Sequence, residues 1–178
     1  MKNQCIFEDA IFIDKNGKDY EKFNDKRMFR YSLKCKIQDK GESITVMLMN
    51  PSYADEYGLD STLNNVKNFL EEQGIFSDFE VLNIFPLRTA NSDNLVSKMK
   101  KYKEFQKKNN EYIEEVLKKS KKVLVAWGSR YHRYAHWVFE LLKDKEVYVY
   151  AVNKNGSPRH FAPQAYNKAV KELKTYSY

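Results

Sequence analysis

Apolar residues in this chain come in short runs, and the spacing within them switches between two periods. "SITVMLMN" (43–50) is β-branched at its start, and four apolar residues, Val46 to Met49, run straight into Asn50-Pro51. A short apolar run that ends at a turn signal predicts a buried strand. "FEVLNIFP" (79–86), "KKVLVAWGS" (121–129) and "EVYVYAV" (146–152) predict three more. Between them the spacing becomes helical. "TLNNVKNFLEEQG" (62–74) sets Leu63, Val66, Phe69 and Leu70 on one side and ends at Gly74. It predicts a helix with Ser61 or Thr62 as N-cap and a glycine stop. "RTANSDNLVSK" (88–98) reads as a loop entering a helix. "NNEYIEEVLKKS" (109–120), "YHRYAHWVFELLK" (131–143) and a closing "PQAYNKAVKELKTY" (163–176) predict further helices. Upstream, "CIFEDAIFI" and "KRMFRYSLKCKI" alternate imperfectly around "DKNGKD", whose Asn16-Gly17 predicts a hairpin or short strands.

No repeat or linker interrupts this order, so residues 1–178 are expected to form one α/β domain. Strands alternating with helices predict a three-layer sandwich: a central, mainly four-stranded parallel sheet flanked by helices, plus the N-terminal hairpin. Ligands of such sheets bind beyond the carboxyl ends of the strands. Polar clusters sit at all four of these ends: Asn50-Pro51-Ser52-Tyr53; Asn83 with Pro86 and Arg88; Trp127-Gly128-Ser129; and Gly156-Ser157-Pro158-Arg159-His160. Each has a turn explanation alone. Together on one rim they predict a pocket.

Composition narrows what the pocket binds. The net charge of +7 favours a polyanionic partner, most simply nucleic acid, although the densest lysine run (98–122) also reads as a solvated helix face. No segment is apolar enough for a membrane span. The N-terminus has no clean apolar h-region, so no signal peptide is expected and the cytoplasm is the expected location. Cys5 and Cys35 match no metal spacing and are expected to be reduced thiols. His132 and His136 are spaced to clip a metal, but no third ligand is in sight, so an aromatic helix face is expected and no metal.

Missing motifs exclude further classes. There is no P-loop, dinucleotide fingerprint, nucleophile elbow or zinc-deaminase signature. The expected site works without a cofactor, through Asn, His, Asp, Tyr and Arg.

"MLMNPSYAD", "DST" at 60–62, "VLNIFPLR", "VAWGS" and "NGSPRH" together resemble the motif series of a bacterial and phage family of unassigned function. The pattern is NPSxAD, DxT, NxFxLR, WG and GxPRHPL, matched in order from about Arg30 to about Pro163. The chain departs from it after the histidine, reading Phe161-Ala162-Pro163 where Pro-Leu is usual, which bears on the geometry of that loop. More distantly, the layout is similar to the uracil-DNA glycosylase superfamily. That resemblance implies a glycosylase-like fold and roles for matching positions. Asn50-Pro51 looks like the mismatch-type first motif, with Asn in place of Asp. Asn83 falls where a base-reading Asn would, and His160 looks like the histidine of the last motif.

The implied chemistry is hydrolysis of an N-glycosidic bond in DNA after the base is flipped out. Asn50 would hold the water, and His160 would stabilise the departing base. Asp55 or Asp60 is the alternative activator of the water, while Asp60 equally suits a helix N-terminus. Tyr53 and Trp127 would wall the base, and Asn83 would read its edge. Pro51, Ser52, Thr62, Gly128 and Ser129 complete the expected binding surface, and Arg88, Arg130 and Arg159 would grip phosphates. Occurrence in phage implies a modified base, in defence or modified-base processing. A monomer acting on DNA is expected. Two alternatives stay open: a hydrolase or transferase acting on free nucleotides or nucleosides, and a non-enzymatic nucleic-acid-binding module.

Overall fold

The computed structural model describes residues 6–14, 27–52, 54, 58–170 and 172–178, with side chains from Met28 onward. It is a mixed α/β fold on one seven-stranded sheet, in the order β1-β2-β4-β3-β5-β6-β7. The strands are β1 (Ile6–Asp14), β2 (Arg27–Lys36), β3 (Glu42–Leu48), β4 (Phe76–Asn83), β5 (Lys122–Val125), β6 (Glu146–Val149) and β7 (Lys174–Thr175). β4, β3, β5 and β6 pair in parallel, while β1, β2 and β7 join antiparallel. The expected four-stranded parallel sheet is therefore corrected to a larger, mixed one. The N-terminal strands do not stand apart but extend the sheet past β4, with Leu33 opposite Val81. The expected Asn16-Gly17 turn lies outside the described residues.

Side-chain alternation divides the core between two faces. Ile44, Val46, Leu48, Phe79, Val81, Leu124 and Ala126 pack with Leu63, Val66, Phe69 and Leu70 of α1 (Ser61–Gln73). Met47, Leu82, Val123, Val125 and Val147 face the other way. They meet α2 (Leu95–Met99), α3 (Lys103–Lys119) and α4 (His136–Leu142), the last entered through a 3-10 turn at His132–Ala135. α1 ends as expected at Gly74, in left-handed conformation, but its N-cap is Asp60 rather than Ser61 or Thr62. The Asp60 carboxylate accepts from the Leu63 N–H at 3.0 Å, a stronger anchor for the exposed amides than a hydroxyl.

The closing helix expected over 163–176 does not form. Ala165 and Tyr166 N–H groups both turn back to the Ala162 carbonyl, and the Asn167 side chain accepts from Ala169 N–H, which competes with helical bonding. The chain then returns to the sheet edge as β7. Cys35 is also corrected: it is buried and disulfide-bonded, not a free thiol, while Cys5 lies outside the described residues. The pairing of Phe7 with Cys35 brings the start of the chain alongside β2, a proximity that sequence separation conceals. Among the described residues no helix is long and apolar enough to cross a membrane.

β3 has β4 on one side and β5 on the other. The chain moves outward in one direction after β3 and in the opposite direction after β4. This reversal opens a crevice at the carboxyl ends of β3 and β5.

Candidate functional site

A cavity of about 400 Å³ occupies that crevice. Its wall comes from the segments after β3 (Met49, Asn50, Ser52), after β4 (Thr89, Ala90, Ser92), after β5 (Trp127 to Tyr131) and after β6 (His160, Ala162), and from the start of α1 (Asp60, Thr62, Leu63).

Asn50 is held by its own amide. Nδ2 donates to the Thr89 carbonyl at 2.8 Å and the Pro51 carbonyl at 3.0 Å. Both partners are acceptors, so the amide orientation is determined and Oδ1 is the end left to accept from the cavity. Pro51 restricts the Asn50 backbone to extended conformations, and its carbonyl also takes the Thr89 N–H at 2.8 Å. The two loops are thus stitched together behind the amide.

His160 presents the opposite polarity. Its Nδ1 accepts from the Ala162 N–H at 3.0 Å. A backbone N–H only donates, so the neutral ring carries its proton on Nε2 and offers a donor. Burial pushes the imidazolium below its ordinary range, and attraction to Asp60 opposes this only in part. Tyr150 holds the loop by donating to the His160 carbonyl at 2.7 Å, and burial raises its phenol to about 12, so it stays protonated. Asn65 adds a bond from Nδ2 to the Phe161 carbonyl at 2.9 Å.

This arrangement makes stability depend on pH. The unfolded chain protonates its histidines near their ordinary pKa of roughly 6.5, whereas folded His160 and His132, both depressed by burial, resist. More protons bind to the unfolded state in that window, so stability falls as pH drops below about 6.5 and levels off once the folded rings titrate. Urea midpoints at pH 8 and pH 5.5 should show this loss, and His160→Gln should shrink it. An unchanged difference in that variant would remove His160 as a cause.

Trp127 lines the cavity and is also core, with its ring N–H donating to His132 Nδ1 at 2.9 Å. His132 and His136 form the expected aromatic face, their rings 5.3 Å apart. Gly128 adopts a left-handed φ of 81°, and its N–H bonds the Pro158 carbonyl. A Cβ there would meet the His160 Cβ at 3.4 Å. Gly128→Ala should therefore cost about 1–2 kcal/mol from the backbone alone, read as a lower thermal midpoint.

Of the expected site residues, Asn50, Ser52, Asp60, Thr62, Trp127, Gly128, Ser129, Arg130 and His160 line the cavity. Others do not. Pro51 is buried behind Asn50. Arg88 is buried and donates from Nε to the Ser52 carbonyl at 3.3 Å, supporting that loop and not a phosphate at the surface. Arg159 turns back to the Val152 carbonyl. Asn83 is fully buried beside Leu48, which lines the cavity, and among the described residues neither of its side-chain polar atoms has a partner. Tyr53 and Asp55 lie outside the described residues. Arg130 is paired with Asp93.

The sequence reading missed Arg30, Thr89, Ser92 and Tyr131, all of which line the cavity. Tyr131 donates to the Ser92 carbonyl at 2.7 Å. Arg30 is reached through a β-bulge: Ser32 pairs with Ile11 but Arg30 with Phe12, leaving Tyr31 as the extra residue. Tyr31 stacks near Tyr112, and Ser32 bonds Glu80, so both face α3. The bulge turns Arg30 to the α1 side, where it is buried and donates to the Ala54 carbonyl at 2.6 Å.

A family model described as "Protein of unknown function (DUF1643)" matches residues 30–161. The chain belongs to this family. No curated protein and no solved structure matches it. The DUF1643 segment begins at Arg30 and ends at Phe161, so it contains every cavity residue named above except Ala162. In this member the Phe161-Ala162 departure keeps His160 in the wall: Phe161 is fully buried against Phe69, Tyr150 and Tyr166.

Proposed function

We propose that the chain is a monofunctional DNA glycosylase that hydrolyses the N-glycosidic bond of a flipped, modified base without a cofactor. One observation carries the reading: an oriented acceptor, Asn50 Oδ1, and an oriented neutral donor, His160 Nε2–H, line one cavity at the switch point of the sheet. The reaction needs both. Oδ1 accepts from the attacking water and directs its lone pair at the anomeric carbon. The imidazole N–H meets negative charge as it grows on the leaving base. Asp60, in the same cavity, is a carboxylate suited to the developing oxocarbenium charge, or to the water in place of Asn50. Trp127 walls the base. Asn83, buried and without partners for its amide, is the group a base edge would satisfy if the wall between them opened. The likeness to uracil-DNA glycosylases in motif order and the basic charge of +7 support the same reading.

The free-nucleotide alternative is favoured by one feature, the buried Arg30 cation in the cavity, which suits an anionic group at that depth. An abasic-site assay separates the two. Single- and double-stranded DNA carrying uracil, mismatched thymine, hydroxymethylcytosine or glucosylated bases is incubated with the protein and cleaved with alkali, beside free nucleosides and nucleotides. Strand cleavage with one base, lost in Asn50→Ala and His160→Ala, is expected. Turnover of free nucleotides alone would replace the proposal with the alternative.

A further inference from the structure

The lysines are distributed unevenly along α3 and the turn that leads into it. Asn109 bonds the Asn83 carbonyl and Gln106 the Ile84 carbonyl, so the first half of α3 lies at the carboxyl ends of the strands, beside the cavity. Its last residue leads through Ser120 to Lys122, which opens β5 and pairs with Glu42 at the start of β3, so the far end of α3 lies at the opposite edge. Near the cavity, residues 98–108 hold six lysines and one acid. At the far half, Lys119 pairs with Glu115 and Lys122 with Glu42 and Glu146, while Lys118 and Lys121 lie in the field of Glu115 and Glu146 without pairing to them. Near the cavity, Lys107 reaches Glu111 only at 3.9 Å. Among the described residues no carboxylate lies within ion-pair distance of Lys98, Lys100, Lys101 or Lys103, and all four are exposed. The corner joins the cavity rim directly, because Ser92 and Asp93, just before α2, are tied to Tyr131 and Arg130.

Four charges within six residues, without carboxylate partners among the described residues, repel one another. A polyanion lying across the corner relieves the repulsion. We infer that the α2–α3 corner, centred on Lys98, Lys100, Lys101 and Lys103, is a nucleic-acid surface that carries the phosphate backbone flanking the nucleotide in the cavity. The inference deepens the glycosylase reading by naming its substrate as a polymer and the face on which it lies. It rests on that reading only for the word flanking; the surface itself is tested by binding.

The test is fluorescence anisotropy of a labelled single-stranded oligonucleotide of ordinary bases, titrated with the full chain at several salt concentrations. Each phosphate contact contributes about 0.7 to the slope of log affinity against log salt for single strands. Lys98→Gln, Lys100→Gln, Lys101→Gln and Lys103→Gln combined should lower the slope by about 2–3 and weaken binding at low salt at least tenfold. The control combines Lys118→Gln, Lys119→Gln and Lys121→Gln, removing three exposed charges at the far end; its slope should stay near the wild-type value. Equal losses in the two variants, no oligonucleotide binding by the wild type, or lysine-dependent binding to phosphatidylserine vesicles in preference to the oligonucleotide would each overturn the surface. Corner-dependent binding without base release from any substrate would leave the surface standing and remove the glycosylase reading. Base release from DNA that the corner variant performs normally at low salt would do the reverse.

Discussion

Asn50→Ala is expected to lower base release by about 100- to 1000-fold, the usual cost of removing one preoriented polar group from a reaction centre. The folded state should lose only about 1–2 kcal/mol, since the Pro51 carbonyl keeps the Thr89 N–H and only the Thr89 carbonyl, on a half-buried residue, loses its side-chain donor. Asn50→Asp discriminates further. A carboxylate restores an acceptor toward the cavity, so a role based on accepting alone would tolerate it. In this site, however, its second oxygen would face two carbonyl oxygens where an NH₂ now donates at 2.8 and 3.0 Å. The new carboxyl would be pressed to stay protonated, raising its folded pKa. A raised carboxyl pKa means stability relative to wild type is retained below the unfolded value of about 3.9 and lost as pH rises through the folded one. Asn50→Asp should therefore be both inactive and the less stable variant at pH 7, by about 2–4 kcal/mol, with the deficit shrinking towards pH 4. Denaturant curves of both variants at the two pH values, beside the abasic-site assay, measure this. Wild-type stability at pH 7 for Asn50→Asp would mean that the amide is not held as described.

Phe161→Ala should bring the largest loss of stability, about 3–5 kcal/mol, from emptying a buried aromatic site. Its ring lies 4.2 Å from that of Tyr150 and 5.4 Å from that of Phe69. Phe161 follows His160 directly, so the cavity left behind also frees the loop that sets the imidazole. Base release should fall at least tenfold even at temperatures where the variant is folded. Phe76→Ala is the control. Phe76 is as buried and belongs to the same face of the core, but it begins β4 at the amino edge of the sheet, away from the site. It should lose comparable stability and keep its activity while folded. Phe161→Leu, which keeps most of the apolar volume, should cost less than Phe161→Ala in both measurements. Equal activity in Phe161→Ala and Phe76→Ala would show that Phe161 contributes packing alone.

Much of this molecule was legible as local pattern. The apolar runs at 46–49 and 147–152 are most stable when covered on both sides, and the 3.6-residue spacing from Leu63 to Leu70 shows which side of α1 is covered. Gly74 marked the end of that helix. Asn50, Trp127 and His160 were visible because polar groups at the ends of apolar strands have few places to go except a rim. Asp60 suits both helix entry and the site by its place in the sequence, and it holds both positions: it caps α1 and lines the cavity.

What the sequence determined by itself, then, is what nearest neighbours decide: element type, which side of each is apolar, and which residues stand at strand ends. Tertiary structure decided everything that depends on distant partners. Asn83 and Arg88 stand at a strand end like Asn50, yet β2 runs beside β4 and buries them, so the wall passes to Thr89 and Ser92. Residues 163–176 have helical spacing, but turns around Ala162 and Asn167 and pairing with β6 take those backbone groups instead. Arg30 enters the cavity because of a single-residue bulge at Tyr31. A bulge reverses the side of every residue beyond it, and its cause lies in the register with another strand. No pattern within "RMFRYSLKC" records that partner.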